Sequence, residues 1–435
     1  MTTETTTTVG NYFVSNYPPY SFWSPERVGE AHAALARKPK PGTDLGVYLH
    51  IPFCRKRCHF CYFRVYTDKK NDEIQGYLDA ALAELAIYAR QPLIAGRKPR
   101  FVYFGGGTPS FLSPEQLTIL CNGMKALLPW DAAEEVTFEC EPGTLSERKL
   151  KTIRDLGVTR LSLGVENFDD HVLESNGRAH LSKQVYGAYA TARALGFPQI
   201  NIDLIAGMMN ETEANWRAGI VKTIELAPDS VTIYQMEVPY NTTIYKQMKA
   251  EGKETAPVAD WETKRGWVDY AFRELERAGY TVKSAYTAVR DPGRTHFVYR
   301  DSLWAGADLV GLGVASFGHL DGTHYQNEHD FAPYVERVNA GILPITRALT
   351  PDADERLIRE FILQFKLGHV DATYFQAKFG VDPRVRFKPQ LDELVRDGHL
   401  TISGTALTLA RHSLLQVDRL LHAFFLPQHV GVRYA

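Results

Sequence analysis

The chain is poor in cysteine, with five among 435 residues. That is too few for a disulfide framework in a chain of this size. It also lacks a surplus of either charge, with 49 Lys and Arg against 51 Asp and Glu. Such a balance leaves no electrostatic footprint for nucleic acid or for an anionic membrane surface. No run approaches the roughly 18 apolar residues that suggest a membrane span. The start, Met1-Thr-Thr-Glu-Thr-Thr-Thr-Thr8, carries no apolar signal core. These absences point to a cytoplasmic protein with no nucleic-acid partner and no membrane span. The 44% of hydrophobic residues is ample for a large core.

Three of the few cysteines stand together, in Tyr48-Leu-His-Ile-Pro-Phe-Cys54-Arg-Lys-Arg-Cys58-His-Phe-Cys61. They follow a short apolar run that reads as a strand, so three thiolates can converge from one tight loop. Iron–sulfur clusters are held by Cys thiolates, normally four. Three on a four-iron cluster leave one iron open to a substrate or cofactor. The rival readings are a structural thiol cluster and a zinc site. Zinc prefers four protein ligands, and only the distant Cys121 and Cys140 remain. His50 and His59 could complete a zinc shell. Such thiolates need a reducing compartment.

From Leu45 a strand and helix alternation begins. Strands are expected at Leu45–Ile51, Phe101–Phe104, Glu135–Cys140, Val158–Leu163, Gln199–Ile205 and Ser230–Gln235. Helices are expected over Asp72–Arg90, from Ser113 with Gln116 completing a capping box, over Ser146–Leu156, from Asp169, over Leu181–Leu195 and over Glu211–Leu226. Six such units argue for a parallel α/β sheet with right-handed crossovers. Two units short of a closed barrel, this is an open three-quarter (β/α)6 barrel. The distinctive motifs all fall at the C-terminal ends of strands, where such barrels place their active sites. They are the cysteines, Gly105-Gly-Gly-Thr-Pro109, Glu139 and Glu141, Glu166, Asp203, and Gln235-Met-Glu237.

Residues 1–44 form an N-terminal extension. Its first ten residues are threonine-rich and expected to lack structure, and the aromatic stretch from Asn16 to Trp23 should pack against the main body. Residues 45–290 form the barrel. Tyr280–Tyr286 reads as a strand, and Asp308–Gly318 as a glycine-punctuated strand and turn within an extension over 291–349. Residues 350–435 read as three helices and a hairpin turning at Ser403-Gly404, a winged-helix-like domain. Its 11 Lys and Arg against 10 Asp and Glu argue for a structural or substrate-covering role rather than DNA binding.

Cys-x3-Cys-x2-Cys after Tyr-x-His-Ile-Pro-Phe resembles the radical S-adenosylmethionine (SAM) superfamily, and within it the oxygen-independent coproporphyrinogen III oxidase-like branch. The resemblance covers about residues 45–425. It implies a 4Fe-4S cluster on Cys54, Cys58 and Cys61 and reductive cleavage of SAM to a 5′-deoxyadenosyl radical. It further implies SAM contacts from Tyr48, Phe60, Gly105, Gly106, Gly107, Thr108 and Glu139. Glu166, Arg178 and Asp203 match positions that bind a second SAM. Two departures stand out: Phe63 occupies the place of the decarboxylase's fourth cysteine, and His296–Trp304 only loosely echoes the haem-chaperone signature. The family pattern also has Gln where this chain has Glu166.

Relatives that use two SAM molecules for methyl transfer or cyclopropanation at an sp2 carbon fit this pattern. That is the expected function, with a small-molecule substrate and an electron donor such as flavodoxin or ferredoxin. The alternatives are coproporphyrinogen III decarboxylation and haem chaperoning. Arg178 and Asp203, on later units and off the cysteine loop, are expected to affect turnover without removing the cluster. The glycines should expose backbone N–H groups to the ligand. Glu141 should be a helix cap or solvated, Asp203 has helix capping as its alternative, and Cys121 should be inert core. His296, His319 and His324 are the weakest candidates.

Overall fold

The computed structural model describes residues 12–432. The threonine-rich residues 1–10 lie outside them. Six barrel strands run in the expected order: β1 (Leu45–Ile51), β2 (Phe101–Gly106), β3 (Glu135–Cys140), β4 (Arg160–Glu166), β5 (Gln199–Ala206) and β6 (Ser230–Gln235). Each pairs in parallel with the next. The intervening helices include Asn71–Ala89, Pro114–Leu127, Ser182–Ala194 and Glu213–Leu226. The Ser113 and Gln116 capping box is present.

Strand alternation explains the barrel's two faces. Outward residues such as Val136, Phe138, Leu161, Leu163, Ile200, Ile202, Val231 and Ile233 join the main hydrophobic core. Their alternates are polar: Glu135, Thr137 and Glu139 on β3, Arg160 and Ser162 on β4, Asn201 and Asp203 on β5, Ser230 and Thr232 on β6. The lumen is therefore a hydrogen-bonding interior rather than an apolar one.

The sheet is larger than expected. Strands β7 (Thr281–Val282), β8 (Thr287–Val289), β9 (Asp308–Leu312), β10 (Phe317–Leu320), β11 (Thr323–Asn327) and β12 (Ile345–Leu349) join it, giving twelve strands in the order β12-β11-β10-β9-β1-β2-β3-β4-β5-β6-β8-β7. The sheet stays open. β9 lies parallel beside β1, a seventh parallel strand. Its glycine allows a tight crossing: a side chain at Gly311 would meet the Phe317 carbonyl at 2.1 Å. The single strand expected over Tyr280–Tyr286 is instead the two short strands β7 and β8, because the chain turns between them, with the Ser284 hydroxyl accepting from the Tyr286 and Thr287 N–H groups.

The extension also closes the barrel floor. The Arg160 guanidinium lies 4.1 Å from the Phe297 ring centroid. Glu135 accepts from the Val298 and Tyr299 N–H groups at 2.9 and 3.2 Å, at the start of helix Val298–Trp304.

Beyond Thr350, helices Ala353–Phe365, Ala372–Phe379, Pro383–Arg386 and Lys388–Arg396 precede a hairpin of β14 (Leu400–Ser403) and β15 (Ala406–Leu409). The hairpin turns at Gly404-Thr405, and β13 (His369–Asp371) adds a third strand beside β15. This unit has its own core around Phe361, Phe365, Phe375, Phe387 and Phe424, which also buries Val14 and Tyr17. The aromatic N-terminal stretch packs as expected. Trp23 stacks on His324 at 5.0 Å, and Ser24 bridges to Ala348 in β12.

Candidate active site in the barrel mouth

The cysteine loop is pinned at its stem and its tip. Gly107 and Thr108 donate their N–H groups to the Ile51 and Phe53 carbonyls at 2.8 and 2.9 Å, and Cys54 N–H donates to the Tyr66 carbonyl at 3.1 Å. At the tip, His59 N–H donates to Asn176 O at 2.9 Å, and Ile244 N–H donates to His59 O at 3.1 Å. Each thiol accepts one hydrogen bond. The Thr108 hydroxyl donates to Cys54 Sγ at 3.3 Å, Arg178 Nη1 donates to Cys58 Sγ at 3.2 Å, and the Phe63 N–H donates to Cys61.

The Gly105–Thr108 turn differs from expectation in what it offers. Gly106 N–H donates to Glu139 Oε2 at 3.1 Å, so with the stem bonds of Gly107 and Thr108 these three N–H groups serve the protein. The glycines are needed for close approach. A side chain at Gly107 would meet the Ile51 carbonyl at 2.9 Å, and one at Gly106, where φ is +110°, would meet the His50 ring at 2.5 Å. An ammonium group donates only, so carbonyl oxygens are what it needs from such a turn.

Three expected carboxylates converge on the lumen. Tyr103 hydroxyl donates to Glu139 Oε1 at 2.6 Å. Asp203 accepts from Ser162 at 2.8 Å and from Asn201 at 2.9 Å, in mid-strand, so it caps no helix. Glu166 sits at φ +65° beside a register irregularity between β4 and β5. A bulge of this kind re-aims a side chain, and a non-glycine residue in the left-handed region is strained. Burial raises all three carboxyls, and each feels another carboxylate or Arg nearby; Glu139 and Glu166 reach about 7. For Glu139 the neighbouring anion is Asp203, and for Glu166 Arg178 opposes the rise while Asp203 and Glu139 add to it. Glu237, at the end of β6, is raised to about 7 by burial while accepting from the Phe13 N–H at 2.7 Å. Tyr62 and Tyr234 are 47% and 42% exposed, and the surrounding protein still raises both phenols.

Residues 48–218 match the family model of the radical SAM superfamily. That segment carries a radical SAM domain. The chain is similar to heme chaperones and oxygen-independent coproporphyrinogen III oxidases over most of its length. It is 27% identical to the heme chaperone HemW of Bacillus subtilis (strain 168) over 381 residues, 87% of this chain and 98% of that protein. It is 27% identical to the oxygen-independent coproporphyrinogen III oxidase of Pseudomonas aeruginosa over 425 residues, 91% of this chain and 88% of that protein. The solved structure of coproporphyrinogen III oxidase (HemN) from Escherichia coli superposes with a TM-score of 0.81 at 23% identity, covering 95% of this chain and 96% of that one. The fold is thus that of HemN. Methyl transfer and cyclopropanation gain no support from these relatives.

The radical SAM domain match implies a 4Fe-4S cluster and SAM, and the loop fits the cluster. Its donor set is three thiols from one loop, each already accepting one hydrogen bond. Burial raises the thiols of Cys54 and Cys61 to about 12 and about 11. Such thiols ionise on a metal, which deprotonates a coordinating thiol outright.

The remaining candidates divide. Tyr48 lies in the lumen, stacked on Tyr103 at 5.9 Å with its hydroxyl 3.1 Å from His50 Nδ1. Phe60 packs beside Met236 and Ile244. Glu141 is a cap, as expected, accepting from Gly143 N–H at 2.9 Å, but it is buried rather than solvated and lies 3.0 Å from His180 Nδ1. Cys121 and Cys140 are buried in the core. His319 and His324 are buried against the Ala307 and Tyr17 carbonyls, and His296 is exposed. Arg178 is not off the cysteine loop: the turn after helix Asp170–Ser175 folds back onto it. Tyr103 and the pairing of Glu141 with His180 escaped sequence reasoning, whereas Glu237 lay in the Gln235–Glu237 segment marked at the end of β6. The signal for Tyr103 was its inward register two residues before Gly105.

Proposed function

We propose that this chain is an enzyme that binds SAM against a 4Fe-4S cluster at the barrel mouth and attacks a small-molecule substrate by a radical route. When bound, the cluster supplies the electron that splits SAM into methionine and a 5′-deoxyadenosyl radical, drawn from a reducing protein such as flavodoxin or ferredoxin. The observation that carries the reading is the meeting of three hydrogen-bonded thiols, the Gly105–Thr108 turn and Glu139 at one place. Cys54, Cys58 and Cys61 hold the cluster. Glu139, fixed by Tyr103 and Gly106, presents acceptor oxygens for the ribose hydroxyls. The enclosing lumen keeps a reactive radical away from water. Under strict anaerobic reconstitution, the wild type should take up about four irons and make 5′-deoxyadenosine on reduction, and Cys58→Ala should do neither. A protein that held one zinc and no iron would end this reading.

Two finer readings remain, and different observations favour them. Oxidative decarboxylation of coproporphyrinogen III is supported by the names of the relatives that span most of the chain. A second SAM, used for methyl transfer or cyclopropanation, is supported by the carboxylates. Glu166 and Asp203 line a lumen suited to a cation such as a sulfonium, and poorly suited to propionates. Phe63, 44% exposed, offers no thiol. SAM with a trideuterated methyl group separates the two. Deuterium in 5′-deoxyadenosine favours attack on a second SAM. Unlabelled 5′-deoxyadenosine with carbon dioxide released from coproporphyrinogen III favours decarboxylation. Heme chaperoning, a non-enzymatic reading outside these two, would give stoichiometric haem binding without productive SAM cleavage.

A further inference from the structure

The turn Ser175–His180 grips the cysteine loop from the far side of the lumen. His59 N–H donates to Asn176 O at 2.9 Å, and His59 Nδ1 lies 3.0 Å from Ser175 O. Arg55 Nη2 donates to Ala179 O at 2.7 Å, and Arg178 Nη1 donates to Cys58 Sγ at 3.2 Å. A side chain on Gly177, where φ is +72°, would meet the His59 ring at 2.7 Å, so glycine is what lets the two loops close. Arg178 itself is nine-tenths buried. Its Nη2 donates to the Gly164 carbonyl at 2.5 Å and stands 3.7 Å from Glu166, while its buried Nε has no protein partner.

We infer that Arg178 is a positioning residue for the cluster, a fixed cationic donor to the Cys58 sulfur that makes the bound cluster easier to reduce. The inference rests on the cluster reading above. Reduction adds one negative charge to the cluster, and hydrogen bonds to its sulfurs help set its potential. A guanidinium held in place by Gly164 and Glu166 favours that added charge without reorganising. It cannot lose its proton at working pH, so the donor is present throughout the cycle. The contact also gives Arg178 a role separate from any carboxylate clamp, for which Nε and the remaining Nη protons would serve.

The test is the midpoint potential of the reconstituted cluster, followed by electron paramagnetic resonance without added SAM, in wild type, Arg178→Met and Arg178→Lys. Iron content and thermal unfolding are measured on each protein. The expected result is about four irons in all three, with the Met variant's midpoint lower by at least a tenfold change in the reduction equilibrium, about 59 mV for one electron. The Lys variant should fall between, since it keeps the charge but offers a differently placed donor. Unchanged midpoints with reduced SAM binding would make Arg178 a ligand clamp only and overturn the inference. Should Arg178→Met fail to fold, Arg178→Lys together with Gly164→Ala, which perturbs the guanidinium's anchor, carries the same comparison, and wild-type midpoints in both would overturn it. A wild type that binds no iron removes the cluster reading and this inference with it. Four irons in the wild type with equal midpoints throughout removes this inference alone.

Discussion

Tyr103→Phe isolates one hydrogen bond at Glu139, the carboxylate proposed above to meet the SAM ribose. The substitution keeps the ring, with its contacts to Tyr48 and Tyr299, and removes the hydroxyl that donates to Glu139 Oε1 at 2.6 Å. Burial holds the Glu139 carboxyl at about 7, and the Tyr103 bond is the largest influence pulling it down. A hydrogen bond to a charged group contributes about 1.5–3 kcal/mol, and one pKa unit is about 1.4 kcal/mol. Losing it should raise Glu139 from about 7 to roughly 8–9. At pH 7.5 most of the wild-type carboxyl is ionised, whereas about a tenth of the variant's would be. If the ionised form accepts from the ribose, SAM affinity in the variant should fall roughly eightfold at pH 7.5 and recover by about pH 9.5. Both proteins should bind more tightly as pH rises, with the variant's midpoint displaced upward. Equilibrium binding of SAM to reconstituted protein across pH 6–9.5, with iron content as the control, measures this. An unmoved midpoint, or a loss equal at every pH, would refute the reasoning.

Gly107→Ala should destabilise the protein by about 1–3 kcal/mol and lower iron uptake, because the new Cβ would stand 2.9 Å from the Ile51 carbonyl at the stem of the cysteine loop; denaturant unfolding and iron assays report both. Glu84→Ala should cost roughly 3 kcal/mol or more, since the buried carboxylate satisfies Gly313 N–H, Asn327 Nδ2 and Tyr334 hydroxyl at 2.9, 2.7 and 2.6 Å. That loss belongs in unfolding experiments, and a stability within 1 kcal/mol of wild type would contradict it. His180→Ala should leave the Glu141 carboxyl higher, because the His180 bond is the largest influence opposing its burial; a carboxyl-selective infrared or NMR titration on labelled protein would read the direction.

The barrel was legible because its signals are local. Strand ends at Ile51, Cys140 and Gln235 coincide with changes in residue pattern, and Ser113 with Gln116 caps a helix wherever that helix packs. The cysteine spacing and the Gly105–Thr108 turn needed no partner to be noticed. The arrangement of β7 to β12 was not legible, since pairing β9 with β1 joins residues more than 250 positions apart, and no local pattern states which edge a strand joins. Nor could spacing show that the glycine N–H groups are used within the protein, or that Phe297 and Tyr299 fill the barrel floor.

Order along the chain determined that this protein has a six-unit barrel whose chemistry-bearing residues fall at one end of the strands, because strand alternation and the carboxyl-end rule follow from backbone geometry alone. Only the tertiary structure decided what those residues do to one another. It brings Arg178 to Cys58 across 120 positions and sets Tyr103 on Glu139. It also gathers Glu139, Glu166, Asp203 and Glu237 at the barrel mouth, where burial raises their carboxyls. The physical reason is desolvation and short-range hydrogen bonding: both depend on which groups meet in space, and the sequence states only which groups exist.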